Sequence, residues 1–151
     1  DVGCGQGRLL KLLASRAQRA VGVDIDADAR RFARAELLLA GLPNCTLRKG
    51  DMHSLPFGDN EFDTVILDDV LDASERPVDA IVEAKRLLRP GGRILVLSSV
   101  GGRNAVDIGK ALADWCRAAH LRLSAPRSIP TQSPQWILAV LTQAEPATAV
   151  A

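Results

Sequence analysis

Several features that mark common protein classes are missing from this 151-residue sequence. No stretch reaches the ~18 consecutive apolar residues that a membrane-spanning helix needs. Lysine and arginine total 19 against 18 acidic residues, and no basic run stands out, so nucleic acid is not the default partner. The length predicts one domain, large enough to bury a substantial core, and we expect it in the cytoplasm with no membrane partner.

Cysteine is also scarce. Cys4, Cys45 and Cys116 are odd in number and lack the spacing of a metal site, so we expect reduced thiols in the core or in loops and no bound metal. No Ser-His-Asp or Cys-His set is evident along the chain. The sequence therefore assigns no catalytic residue.

The most informative stretch is the first seven residues, D-V-G-C-G-Q-G, in which glycines occupy alternate positions. Leucines and alanines at helical spacing follow from Leu9 to Ala17. The pattern predicts a strand, a glycine turn and a helix whose free N–H groups favour an electronegative ligand group. A tight turn with no ligand is the competing interpretation.

The glycine spacing differs from that of a dinucleotide site. The dinucleotide fingerprint is G-x-G-x-x-G, whereas here the glycines run G-x-G-x-G and Arg8 stands where the third glycine would be. Asp1 precedes the first glycine. A carboxylate at this position suits a ligand with an ammonium group and disfavours a pyrophosphate.

Strands and helices alternate along the rest of the chain. Predicted strands cover residues 20–24, 45–49, 62–67, 94–97, 121–123 and 136–141, and predicted helices cover 27–40, 77–88 and the region of the stripe Ile108, Leu112, Trp115 and Ala119. This alternation predicts a parallel, doubly wound α/β sheet. In the helix at 27–40 we expect Asp26 to cap the start and Phe32, Ala35, Leu38 and Leu39 to face inward.

The chain begins on the last residues of what should be a central strand, which normally runs about five or six residues. We therefore expect that the first strand is truncated and that this sequence is a piece of a longer protein. At the other end, residues 144–151 show no periodicity and are expected to be disordered.

Acidic residues follow successive predicted strands. Ligands of doubly wound sheets bind at the carboxyl ends of the strands, and a carboxylate about 20 residues beyond the first glycine can accept from ribose hydroxyls, which suits Asp24. Asp51 can accept from an adenine amino group, with the Met52 backbone and side chain beside the ring. The alternatives are a helix cap for Asp24, a role that Asp26 fills better, and a turn residue for Asp51.

Five segments together resemble the class I (Rossmann-like) S-adenosylmethionine-dependent methyltransferases. The segments match that family's motifs in order, and they are D-V-G-C-G-Q-G, Val23–Asp26, Gly50–Phe57, Phe62-Asp63 with Leu67–Leu71, and Leu88–Gly92. The resemblance implies a methyltransferase domain over residues 1–143. It also implies a seven-stranded sheet of order 3-2-1-4-5-7-6, in which strand 1 precedes the glycine turn and strand 7 is antiparallel.

The resemblance further implies the cofactor S-adenosylmethionine and transfer of its methyl group to an unidentified small-molecule acceptor. Asp1 and the Leu67 region would hold the amino-acid end of the cofactor, Asp24 the ribose and Asp51 the adenine. The residues carried over as cofactor-binding are Asp1, Gly3, Cys4, Gly5, Gly7, Asp24, Ile25, Asp51, Met52, Leu67 and Asp68. The protein would act mainly by aligning the reactants, and proximity and orientation can lower the activation barrier by roughly 7–11 kcal/mol.

A closer likeness is to methyltransferase domains fused behind an ArsR-type winged-helix domain. It rests on Gly7–Leu10 and Trp115–Ala119, and it implies nucleic-acid contact only through such an upstream domain. That subgroup has a His- and Gln-containing stretch after its fourth strand, where this chain has Asp68, Asp69 and Asp72. The methyl acceptor and any catalytic base stay unassigned. We expect His120 to cap a helix and His53 to be structural.

Two other functions share these features. A non-catalytic module that senses S-adenosylmethionine in a transcriptional regulator would use the same pocket without turnover. A nicotinamide-dependent oxidoreductase would share the fold and Asp24, but the glycine spacing of this chain is not that of a dinucleotide site.

Overall fold

The computed structural model describes residues 1–101, 104–129 and 135–143 of the chain. The helices are α1 (Arg8–Leu13), α2 (Ala27–Leu39), α3 (Pro77–Arg86) and α4 (Ala105–Ala118). The strands are β1 (Ala20–Asp24), β2 (Cys45–Lys49), β3 (Phe62–Asp68), β4 (Leu88–Ser99), β5 (Leu121–Leu123), β6 (Arg127–Ile129) and β7 (Trp136–Gln143). A helix therefore precedes each of β1, β2 and β4, as the sequence predicts, whereas β2 connects to β3 without a helix.

The strands form a mixed sheet. β1 pairs with β2 and β3 pairs with β4 in parallel, whereas β7 runs antiparallel to β4, β5 and β6. Val2 forms parallel bridges to Val23 of β1 and Leu67 of β3, and so joins the two halves of the sheet. Its N–H donates to the Ile66 carbonyl at 2.9 Å, and the Val23 N–H donates to the Asp1 carbonyl at 2.8 Å. The glycine turn therefore starts from the centre of the sheet.

The α/β class is confirmed, and each predicted strand is present. The predicted lengths need three corrections. α1 ends at Leu13, short of Ala17, and α3 ends at Arg86 rather than at residue 88. β4 begins six residues earlier than predicted, because Leu88 pairs with Phe62 ahead of the register shift at Thr64. The short strand β6 was not predicted.

The inward face predicted for α2 is wrong. Ala33 and Leu37 are the buried residues of this helix, whereas the exposed fractions of Phe32, Leu38 and Leu39 are 50%, 80% and 84%. α2 packs on β1 and β2 at the end of the sheet, where a narrow stripe is enough to cover it. Leu37 belongs to a small core cluster with Cys4, Leu10 and Ala20, apart from the large cluster around β3, β4 and β7.

The predicted capping roles of Asp26 and His120 are confirmed. The Asp26 side chain accepts from the backbone N–H groups of Asp28 and Ala29 at the start of α2. His120 follows the last turn of α4 with φ of 52°, the left-handed conformation typical of the residue after a helix. Its carbonyl accepts from Lys85 Nζ at 3.3 Å, so its position is that of a helix-terminating residue.

A network around Arg86 fixes the connection between β2 and β3 onto α3. The Arg86 guanidinium donates to the carbonyls of Leu55 and Phe57 at 3.3 and 3.0 Å, to Asp59 at 2.7 Å and to both oxygens of Glu83 at 2.7 and 2.8 Å. Glu83 also accepts from the Leu55 N–H at 2.7 Å. The hydrogen bonds from Arg86 lower the pKa of Glu83, a carboxyl that is 15% exposed.

Replacing Arg86 should destabilise the fold. Arg86→Ala leaves the mostly buried Glu83 carboxylate without its charged partner, so we expect a loss of about 2–3 kcal/mol in the free energy of unfolding. Arg86→Lys should recover only part of it, because an ammonium cannot donate in a fork. Arg89→Ala is the matched control, since its pair with Asp63 is exposed and should contribute less than ~1 kcal/mol. Equal denaturant midpoints for the Arg86→Ala and Arg89→Ala proteins would contradict this account.

No helix among the described residues is long and apolar enough to cross a membrane. The predicted tail, residues 144–151, lies outside the described residues. The domain boundary at residue 143 stays a prediction.

Candidate functional site

The glycine turn adopts a backbone that side chains rarely permit. Gly3, Gly5 and Gly7 have φ values of 70°, 50° and 78°. A Cβ on Gly3 would lie 2.3 Å from Val70 Cγ1, and one on Gly7 would lie 3.2 Å from Ala33 Cβ. A Cβ on Gly5 would meet nothing within 4 Å. Gly3 and Gly7 thus permit close packing, whereas Gly5 leaves open space beside the turn.

Asp24 ties the turn to the end of β1. Its Oδ2 accepts from the Gly5 N–H at 2.7 Å and its Oδ1 from the Asp26 N–H at 2.8 Å. Because each carboxylate oxygen has two lone pairs, both oxygens can accept one further hydrogen bond. The predicted competitor, helix capping, falls to Asp26, so Asp24 is available to a ligand with two adjacent hydroxyls.

A cavity of about 430 Å³ lies at the carboxyl ends of β1, β2 and β3. We call it the strand-end cavity, and its lining residues are Val2, Gly3, Asp24, Ile25, Gly50, Asp51, Met52, His53 and Val70. It therefore brings the two acids predicted to bind ribose and adenine to one space. The apolar Ile25 and Val70, and the thioether Met52, supply walls against which a flat ring can pack.

Asp51 belongs to a hydrogen-bonded chain. Its Oδ1 accepts from the backbone N–H of His53 and faces His53 Nδ1, each at 2.9 Å, while His53 Nε2 lies 3.0 Å from Ser74 Oγ. These bonds from His53 lower the pKa of Asp51, so the carboxylate is charged at neutral pH. The structure thus joins an Asp, a His and a Ser that sequence analysis did not connect. Ser74 Oγ also accepts from the Arg76 N–H at 3.1 Å, which makes it a turn residue ahead of α3.

Two buried carboxylate oxygens near the turn have no partner among the described residues. They are Asp1 Oδ1 and Asp68 Oδ1, and the residues next to them, Val2 and Leu67, form a parallel bridge. Asp68 Oδ2 accepts from Arg8 Nη2 at 3.2 Å. Burial raises the pKa of Asp68, and Arg8 opposes that rise only in part. An unpaired buried acceptor costs about 1–3 kcal/mol, so a ligand that donates hydrogen bonds there would be favoured.

The predicted site residues thus fall into two groups. Those that line the strand-end cavity are Gly3, Asp24, Ile25, Asp51 and Met52. The others, which border the turn or lie beneath it, are Asp1, Cys4, Gly5, Gly7, Leu67 and Asp68. Cys4 and Leu67 are buried, and burial raises the pKa of the Cys4 thiol to about 11, so these two can offer a ligand only backbone groups. The described residues contain no group of three His, Cys, Asp or Glu able to hold a metal ion.

An apolar groove of about 530 Å³ lies between α2 and β2 and shares no residue with the strand-end cavity. Its walls are Arg34, Leu37, Leu38, Gly41, Leu42, Pro43, Cys45, Thr46 and Leu47. None of these residues carries a carboxylate. The groove cannot therefore accept from hydroxyls or an ammonium with charged groups, and the strand-end cavity is the better candidate site.

The chain is similar in sequence to known methyltransferases. Residues 1–96 match the family described as "Methyltransferase domain". The chain is 32% identical over 131 residues to a fatty-acid O-methyltransferase of Mycolicibacterium smegmatis, covering 85% of this chain and 45% of the relative. It is 38% identical over 103 residues to a ubiquinone/menaquinone biosynthesis C-methyltransferase of Dinoroseobacter shibae, covering 64% of this chain and 40% of the relative.

Solved structures of methyltransferases have a similar fold. A SAM-dependent methyltransferase structure from Aquifex aeolicus superimposes with a TM-score of 0.79 at 17% identity, covering 93% of this chain and 79% of that chain. The chain spans less than half the length of the curated relatives described above. The matched family nevertheless covers residues 1–96, more than half of this chain. The chain therefore belongs to the class I S-adenosylmethionine-dependent methyltransferases.

Proposed function

We propose that the protein transfers a methyl group from S-adenosylmethionine to a small-molecule acceptor. The observation that carries the proposal is the strand-end cavity, which Asp24 and Asp51 both line. Asp24 would accept from the ribose hydroxyls and Asp51 from the adenine amino group. The unpartnered oxygens of Asp1 and Asp68 would accept from the ammonium of the amino-acid end.

The chemistry follows from positioning. When bound, the cofactor supplies a methyl group on a sulfonium, which is already a good leaving group. The acids at the strand ends would hold three separate parts of the molecule and so fix its orientation. Val70 packs against Gly3, and both residues line the cavity, so this contact would help to exclude water from the bound cofactor. Alignment of this kind can be worth roughly 7–11 kcal/mol.

The proposed acceptor is a small molecule of unspecified class. Relatives that share about a third of their aligned residues are named as a fatty-acid O-methyltransferase, C- and O-methyltransferases of ubiquinone biosynthesis, and an arsenite methyltransferase. These names support a small-molecule acceptor. Because they differ so widely, they favour no single acceptor. A cytoplasmic location and the absence of a membrane partner stay predictions.

Ligand-induced stabilisation tests the cofactor. A ligand that binds only the folded state stabilises it by about 2.7 kcal/mol at a concentration of 100 Kd. We expect S-adenosylmethionine and S-adenosylhomocysteine to raise the melting temperature and NAD to leave it unchanged. Stabilisation by NAD alone would overturn the proposal in favour of an oxidoreductase.

The pH dependence of affinity tests the ammonium site. Burial raises the pKa of Asp68, so this carboxyl takes up a proton at a higher pH than an ordinary Asp. Only the charged form attracts an ammonium, and we therefore expect S-adenosylhomocysteine affinity to fall as pH decreases through that raised pKa. Asp68→Asn should weaken binding at neutral pH and remove this part of the pH dependence. Calorimetry at several pH values measures both effects, and an unchanged profile in Asp68→Asn would exclude Asp68 from the site.

A further inference from the structure

The hydrogen-bonded chain Asp51–His53–Ser74 has a direction. An imidazole nitrogen beside a carboxylate carries the proton, so His53 Nδ1–H donates to Asp51 Oδ1 and Nε2 accepts from the Ser74 hydroxyl. Ser74 Oγ is itself held by the Arg76 N–H. His53 is thus fixed at both nitrogens, and its side chain is only 18% exposed.

This chain determines which way the Asp51 carboxylate turns. Both hydrogen bonds from His53, one from its backbone and one from its ring, end on Oδ1. Asp51 Oδ2 accepts no hydrogen bond among the described residues. The carboxylate is 52% exposed, and the backbone N–H of residue 53 remains in any His53 variant, so the ring of His53 supplies the second contact that fixes Oδ1. With His53 in place, one oxygen is committed and the other is left for a donor in the strand-end cavity.

We propose that His53 is a positioning residue that sets the preference of the site for an adenine over a base without the exocyclic amino group. This inference rests on the proposed function. Asp51 Oδ2 is the acceptor of the amino group, and the ring of His53 presents it. Ser74 connects this arrangement to the loop that follows β3, so the base-binding side of the cavity is held from two separate segments of the chain.

The test compares two ligands on three variants. S-adenosylhomocysteine and S-inosylhomocysteine differ at the 6-position of the base, where an amino group is replaced by a carbonyl oxygen. His53→Asn places an amide nitrogen near the position of Nδ1 and keeps the donor to Asp51. His53→Gln places its amide near Nε2 and keeps only the contact to Ser74. Asp51→Ala removes the acceptor, and calorimetry gives each dissociation constant.

We expect the wild-type protein to prefer the adenosyl ligand by at least about tenfold, the effect of one hydrogen bond to a charged acceptor. His53→Asn should keep that ratio within about threefold. His53→Gln should lower the ratio, and Asp51→Ala should lower it further. The base of S-inosylhomocysteine also carries a hydrogen on N1 that adenine lacks, so the ratio of each variant is compared with that of the wild type.

The outcomes separate the two proposals. If the wild-type protein binds neither ligand, the methyltransferase proposal fails and the role of His53 fails with it. If the wild type prefers the adenosyl ligand and His53→Gln keeps the full preference, the role of His53 is wrong while the proposed function stands. Equal loss of both affinities in His53→Gln, with the ratio unchanged, would show a merely structural histidine. Thermal melts of each variant confirm that folded proteins are compared.

Discussion

Asp24→Ala is expected to weaken S-adenosylhomocysteine binding at least about tenfold, and about a hundredfold if both ribose hydroxyls are lost as donors. Each hydrogen bond to a charged group is worth roughly 1.5–3 kcal/mol, and 1.4 kcal/mol is a factor of ten in affinity. The Asp24 carboxylate also holds the N–H groups of Gly5 and Asp26. The substitution therefore removes ligand contacts and loosens the glycine turn together.

Two further variants separate these effects. Asp24→Asn retains one carbonyl oxygen, which can hold one of the two N–H groups, so it should melt closer to the wild type than Asp24→Ala and still bind weakly. Asp28→Ala is the matched control, because Asp28 is an exposed acid in the first turn of α2 whose carboxylate forms an exposed ion pair with Arg31. Calorimetry and denaturant melts on all three proteins measure affinity and stability separately. A dissociation constant unchanged in Asp24→Ala would remove this residue from the site.

The sequence predicts the sheet well because its signals are local. Gly3, Gly5 and Gly7 require a turn, Asp26 caps a helix, and Pro77 begins one, so each boundary has its own chemical cause. The buried face of α2 lacks such a cause. Three consecutive leucines cover more than half of the helix circumference, and the pattern alone cannot say which of them faces the sheet. Packing against β1 and β2 selects Leu37 and leaves Leu38 and Leu39 exposed.

The candidate site likewise has residues that the sequence predicts and residues that it does not. Asp24 and Asp51 can be predicted because each follows a predicted strand, and parallel strands end at the same edge of a sheet. Val70 and Ser74 lie in an irregular segment after β3 with no period to indicate their neighbours. Only the three-dimensional structure shows that Val70 covers Gly3 and that Ser74 reaches His53. The contacts of Val70 with Gly3 and of Ser74 with His53 therefore could not be predicted from the sequence.

Gly3→Ala is expected to lower the free energy of unfolding by about 2–5 kcal/mol, a large part of the 5–15 kcal/mol typical of a domain. Two costs add. A residue other than glycine in the left-handed conformation costs roughly 1–2 kcal/mol, and φ of Gly3 is 70°. The new Cβ would also lie 2.3 Å from Val70 Cγ1, and overpacking of this kind costs about 1–3 kcal/mol.

A double-mutant cycle with Val70→Ala distinguishes the two costs. Truncating Val70 makes room for the new methyl group, so Gly3→Ala should cost about 1–3 kcal/mol less in the Val70→Ala background than in the wild type, while the conformational cost stays.

Gly5→Ala provides the contrast, because its φ is 50° and its Cβ would meet nothing within 4 Å. It should cost only the conformational ~1–2 kcal/mol in stability, yet weaken S-adenosylhomocysteine binding, since the methyl group would occupy the space left for the ligand. Denaturant melts and calorimetry decide the matter. Additive effects of Gly3→Ala and Val70→Ala would contradict the proposed steric conflict between the new Cβ and Val70.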